Sequence, residues 1–236
     1  MKFAPKVFAS LLTLLAVGLV HAAETKSVAR VIVIQEIETD DPFGYVKLVA
    51  ASNDIVKEKL GLDTYSHVYF SNYDGGKTMS VRSVTAAESV AALAKNSAAL
   101  ENEPALKDTM TQLRAIRKLG ARVLYQGLRF DGTYPHCVVY TTTANVSDEA
   151  GYLKALDGLR AIFDAHGLAD AKINAYRVLA GRSDHTHRVT IAVASGDRLA
   201  ALLDFVASDP AMAAWLKDAA KLRTVVANGT SNEITK

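Results

Sequence analysis

The amino-acid sequence predicts an α+β protein built from two copies of one unit. Gly44-Tyr45-Val46-Lys47 returns as Gly151-Tyr152-Leu153-Lys154, 107 positions later. Each copy is preceded by one apolar strand-like run and followed by two strands, a helical segment and a last strand. Self-similarity at a fixed interval marks a duplicated structural unit and outranks local propensity.

The chain opens with Lys2 and Lys6, an uncharged and largely apolar run from Phe8 to Val20, and then His21-Ala22. A charged start, a short greasy core and a small residue at the cut are the parts of a secretory signal. The core is short for a membrane span, so residues 1–22 are expected to be removed and the mature protein to start at Ala23 in the periplasm. Removal takes away two of the 27 basic residues and no acid, which leaves 25 against 25. A chain so balanced carries no electrostatic footprint for nucleic acid or for an anionic membrane surface. Half the residues are apolar, enough for a packed core and unlike a disordered chain. Cys137 is the single cysteine; it can form no internal disulfide, and its apolar surroundings suit an inert buried thiol.

The first unit is expected over residues 28–131. Val28 to Ile37 is β-branched on both faces, as in a covered strand. Asp40-Asp41-Pro42 ends it and offers acceptors to a helix from Gly44 to Leu60, whose stop is Gly61. Residues 64–72 read as an aromatic-rich strand, Tyr73-Asp74-Gly75-Gly76 as a turn, and 77–84 as the returning strand. Helices are expected from Ala86 to Lys95 and from Pro104 to Leu119, and a strand over 121–130.

A short link, Asp131 to Pro135, leads to a second unit over 136–230. Cys137 to Thr141 reads as strand, and Ser147 as the cap of a helix reaching Ala165 and stopped by Gly167. Strands 172–180 and 185–194 form a hairpin around Gly181-Arg182-Ser183-Asp184. Asp197 is expected to cap a helix from Arg198 to Ala207, Pro210 to start another reaching Leu222, and Thr224 to Ala227 to be the final strand. Strand, helix, strand, strand, helix, strand is the ferredoxin-like order.

A sheet with helices on one face leaves the other face bare, and two units in one chain can cover each other. This layout, with the split last helix and the Asp209-Pro210 phrase, resembles the dimeric α+β barrel superfamily. That superfamily includes the antibiotic-biosynthesis monooxygenase-like proteins, the heme-degrading monooxygenases, the stress-responsive barrel proteins and the chlorite dismutase relatives. The resemblance covers residues 28–230 in element order and implies an intramolecular α+β barrel of tandem ferredoxin-like repeats. It also implies ligands between sheet and helices or in the central barrel. A heme-linked role would need an axial histidine, and the sequence marks none for it. Two such chains could pair again into a homo-oligomer.

Tyr65, His67 and Tyr69 share one face of a strand and could line a ligand pocket, with histidine as acid, base or ligand. The simpler reading of this row is an amphipathic seam between sheets. The matching strand of the second unit keeps one aromatic, Tyr176, between Asn174 and Val178. Arg82 and Arg188 sit inside the two returning strands; if their faces look into a barrel, each needs a carboxylate or an anionic ligand. Glu36 is an available partner. The candidate ligand-binding set is therefore His67, Tyr65, Tyr69, Arg82, Tyr176 and Arg188. His185 and His187 are spaced to point the same way on a strand, with Asp184 adjacent, but lack an identified third ligand, so no metal site is assigned. No cofactor is assigned either.

The sequence has no zinc-protease histidine-glutamate motif, phosphate loop, Cys-x-x-Cys-His heme attachment or Gly-x-Ser-x-Gly elbow. Asn145-Val146-Ser147 and Asn228-Gly229-Thr230 are read as turns. The expected function is a periplasmic barrel protein binding a small aromatic or apolar ligand. The alternatives are a cofactor-independent monooxygenase-like enzyme and a non-enzymatic structural or interaction module.

Overall fold

A computed structural model describes residues 30–61, 66–73, 81–181 and 183–234. The expected signal, Tyr65 and most of the first hairpin turn lie outside the described residues.

The first half of the chain forms β1 (Val31–Glu38), α1 (Pro42–Leu60), β2 (Ser66–Tyr73), β3 (Val81–Ala87), α2 (Val90–Glu101), α3 (Lys107–Ile116) and β4 (Lys118–Phe130). The second forms β5 (Val138–Val146), α4 (Glu149–Ala165), β6 (Lys172–Gly181), β7 (His187–Val193), α5 (Gly196–Ser208), α6 (Pro210–Ala219) and β8 (Arg223–Glu233). The eight strands close into a barrel in the order β1-β3-β2-β8-β5-β7-β6-β4. Each half contributes its own four strands side by side, in the same internal order. Antiparallel pairs β2–β8 and β4–β6 join the halves. This is the expected intramolecular α+β barrel.

The repeated Gly-Tyr phrase has a local cause. Asp41 caps α1 by accepting from Gly44 N at 2.8 Å, and Asp148 caps α4 by accepting from Gly151 N at 2.9 Å. A Cβ on Gly44 would lie 2.0 Å from the Asp41 carboxylate, and one on Gly151 2.3 Å from that of Asp148. Only glycine lets the cap carboxylate fold so tightly onto the first turn. The tyrosines that follow, Tyr45 and Tyr152, are buried against their own sheets.

Alternation along each strand separates the two faces. Outward, Ile37, Val68 and Val81 pack with Tyr45, Val49 and Leu113 in the first half. In the second half Ile173, Val189 and Ile191 pack with Tyr152, Leu156, Leu159, Phe163 and Met212. Each such side chain contributes roughly 1.5–3 kcal/mol by leaving water. Inward, the residues are mixed and surround a lumen.

Several boundaries differ from the sequence expectation. Leu119 belongs to β4, paired with Ile37 of β1, and the helix before it ends at Ile116; cross-strand pairing overrides the helical period. Ala86 and Ala87 continue β3 against Ile32 and Val31, so the next helix waits for its cap at Ser89. Asp148, not Ser147, caps α4, while the Ser147 hydroxyl donates to Leu222 O at 3.0 Å. Ser195, not Asp197, caps α5. β8 runs on to Glu233 because β5 and β2 supply ladder partners on both sides.

Candidate functional site

The lumen holds a chamber of about 440 Å³ whose wall includes Ile34, Glu36, Arg82, Val123, Tyr125, Thr141, Thr143, His185 and Arg188. A deeper space of about 70 Å³ lies beside it, bounded by Tyr69, Tyr176, Asn174 and Ser231. Arg82 and Arg188 border both.

The duplication sets out the centre of the site. Tyr69 stands opposite Arg82 in the β2–β3 ladder, and Tyr176 stands opposite Arg188 in the β6–β7 ladder. On the other side of each arginine the halves diverge. Glu36 of β1 faces Arg82, whereas Thr143 of β5 faces Arg188. Directly opposed residues of an antiparallel pair have Cβ atoms about 4.5–5.5 Å apart on one face, so these are true neighbours.

Arg188 is half-buried at the chamber wall, and its Nε is buried without a hydrogen-bond partner. Its Nη2 donates to Thr141 Oγ1 at a long 3.4 Å. Burial pulls the Arg188 guanidinium below its ordinary range; the Tyr125 hydroxyl opposes that shift and neighbouring Arg82 adds to it. Burial pushes Tyr125 up, with Arg188 pulling the other way, and pushes Tyr176 up to about 12. Both tyrosines are therefore neutral donors at pH 7.

At one side of the chamber Tyr125 and His185 are stacked, centroids 6.0 Å apart and planes 21° from parallel. The Tyr125 hydroxyl lies 2.9 Å from His185 Nε2, and His185 Nδ1 lies 2.8 Å from Asp184 Oδ1. A carboxylate on Nδ1 fixes the ring and leaves Nε2 toward the lumen. His187 turns the other way: its Nε2 meets Glu149 of α4 at 2.9 Å. The expectation that the two histidines share a face fails because His185 precedes β7, whose regular alternation starts at His187. Among the described residues no group of three or more His, Cys, Asp or Glu side chains is arranged to hold a metal.

Of the six nominated residues, Tyr69, Arg82, Tyr176 and Arg188 border the lumen chambers. His67 shares their face, but its Nδ1 is bound to the buried Glu233 carboxylate. Glu233 Oε2 also accepts from Cys137 Sγ at 3.7 Å. Tyr65 lies outside the described residues. Asn174 is a clamp on the link between halves, its Oδ1 accepting from Asp131 N at 2.9 Å and its Nδ2 donating to Gly132 O at 3.0 Å. Sequence reasoning passed over Tyr125, although alternation with Val123 puts it on the lumen face. It also passed over Thr143, which only the ladder register identifies.

A heme, which the resemblance makes the cofactor to test for, does not fit between the second sheet and its helices. The space between the second sheet and its helices is filled by Tyr152, Leu156, Leu159, Phe163 and Met212. His187 has Glu149 on one ring nitrogen and Thr186 on the other. His166 lies against Asp209 and Phe205, and His136 is exposed in the link.

No family model matches the chain, and no curated protein matches it. Solved structures do. A proposed monooxygenase from Lactobacillus acidophilus NCFM is 10% identical, with a TM-score of 0.55 over 87% of this chain and 93% of that one. A proposed monooxygenase from Fusobacterium nucleatum subsp. nucleatum is 10% identical, with a TM-score of 0.53 over 87% and 91%. An anthrone oxidase-like protein is 16% identical, with a TM-score of 0.51 over 87% and 92%. At these identities the likeness is one of fold: the chain has the architecture of the dimeric α+β barrel superfamily, with both halves of the barrel in a single polypeptide.

Proposed function

We propose that this protein is exported to the periplasm and there binds a small molecule with an aromatic or apolar body in the lumen between its two sheets. The observation that carries the reading is the 440 Å³ chamber, in which Ile34, Ala121 and Val123 face polar groups of Arg82, Tyr125, Thr141 and Arg188. An apolar wall with a few convergent polar groups is the usual make-up of a small-molecule site. Mass spectrometry of the gently purified protein, with a thermal-shift screen of small aromatics, tests it. Ligands should raise the midpoint of the native chain and not of Thr141→Trp, which fills the chamber. Equal responses from the two proteins would remove the reading. N-terminal sequencing of exported material should begin at Ala23.

A second reading is favoured by the Asp184–His185–Tyr125 line and by the names of the solved relatives. In it, a cofactor-independent oxygenase binds a hydroxylated aromatic whose acidic proton passes to His185 Nε2 in place of the Tyr125 contact. A ring CH₂ then becomes C=O with dioxygen as oxidant, one oxygen atom retained and the other leaving as water with the two hydrogens. Oxygen uptake with anthrones, quinols and phenols is the test. Turnover lost in His185→Ala supports it, and absence of uptake across the panel ends it.

A further inference from the structure

We infer that the wall shared by the two chambers is an anion site, in which Arg188, with Arg82 beside it, holds the carboxylate of a small monoanionic ligand. This rests on the lumen being the ligand site and adds the charge of what enters it.

Among the described residues, the hydrogen-bond partners of the Arg188 guanidinium are all neutral. Thr141 lies at 3.4 Å from Nη2 and the Tyr125 hydroxyl is beside it, while Nε has no partner and is buried. A buried charge without an opposite charge is among the most expensive arrangements in a protein, and it persists where something else supplies the counter-charge. The first half of the chain has an acid at the corresponding place. There the equivalent arginine, Arg82, faces Glu36 across the β1–β3 ladder. In the second half the same ladder position is Thr143. Tyrosine is kept opposite both arginines, so the row is duplicated except for its acid.

The charges around the chamber set the valence of the ligand. Arg82 and Arg188 are the two guanidiniums of the shared wall, and Glu36 lines the larger chamber beside them. Asp184 also borders the chamber, with its carboxylate held on His185 Nδ1. Glu233 is taken by His67 and Cys137. Arg188 by itself calls for one negative charge, which a carboxylate supplies and a phosphate dianion oversupplies. The planar guanidinium suits a carboxylate geometrically, offering parallel N–H donors to its two oxygens. The Thr141 hydroxyl, which accepts from Arg188, keeps its own proton to donate to the same group, and the apolar wall accepts the ring or chain that carries it.

Calorimetric titration of the full chain with benzoate, its neutral amide benzamide, and phenyl phosphate tests the assignment. Benzoate is expected to bind at least tenfold more tightly than either of the others. Arg188→Met should lower benzoate affinity at least tenfold. Since loss of Arg188 could disturb folding, Thr143→Glu is the decisive variant: it supplies the acid that the first half already has. It should unfold no earlier than the parent, lose at least tenfold in benzoate affinity and leave benzamide binding unchanged. Undiminished benzoate affinity in Thr143→Glu, or phenyl phosphate binding more tightly than benzoate, overturns the site. Benzamide binding with no preference for benzoate leaves the lumen as a ligand site and removes the anion site. No binding of any of the three removes both.

Discussion

The imidazole of His67 and the carboxylate of Glu233, 166 residues apart in the chain, are joined by a hydrogen bond across the β2–β8 seam. The Glu233 side chain is 7% exposed, and among the described residues its side-chain partners are His67 and the Cys137 thiol. His67→Ala should therefore act on folding. Leaving a buried carboxylate with only the weak Cys137 thiol donor costs about 1–3 kcal/mol. Chemical denaturation should show that loss, and titration of lumen ligands should show little change. A large loss of ligand affinity with an unaltered unfolding midpoint would return His67 to the ligand site.

Gly44→Ala and Gly151→Ala should each destabilise the protein by about 1–2 kcal/mol, since a Cβ displaces the Asp41 or Asp148 carboxylate from its cap. The two sites share no partner, so the double variant should show the sum. Denaturant midpoints at unchanged slope are the measurement. Either alanine being neutral would show that the cap can move aside without loss.

Cys137 should be inert in the folded protein. Burial first, and then the nearby Glu233 charge, push its thiol from 9.0 up to about 11, so at pH 8 it is protonated and shut from reagents. Iodoacetamide at pH 8 should label it only on unfolding. Rapid labelling of native protein would contradict the burial.

The same shift sets an alkaline limit on stability. In the unfolded chain the thiol ionises near its ordinary value, while in the fold it stays protonated until about pH 11. Between those values the native state binds more protons than the unfolded one, so stability falls as pH rises. Tyr176, raised from 10.0 to about 12, extends the fall upward. Cys137→Ala should flatten the part between pH 9 and 11 in unfolding curves recorded as a function of pH. A parallel curve would assign the alkaline loss to other groups.

The repeated Gly44 and Gly151 phrase exposed the architecture because caps, helix faces and glycine stops are local features, written in a few adjacent residues. Gly61 and Gly167 both take positive φ where their helices end. Alternation put Arg82 and Arg188 on the face opposite Val81 and Val189, and closure of the barrel turns that face inward. Glu233 could not be foreseen: it lies in a polar stretch after Asn228-Gly229, and β8 becomes a strand there through pairing with β2 of the other half. The separate roles of His185 and His187 were equally hidden, because strand parity says nothing about a residue one step before the ladder begins. Closing seams and partner registers are long-range facts, and they decide which lumen residues meet.

A barrel assembled from two identical chains must repeat every lumen feature about its twofold axis, so that a ligand near the axis finds the same surroundings either way round. Joining the halves in one polypeptide lifts that requirement. Glu36 opposite one arginine and Thr143 opposite the other make the two ends of the tyrosine–arginine rows chemically different. The stoichiometry consistent with such a lumen is one ligand per chain, held in a single orientation with its charged end toward Arg188.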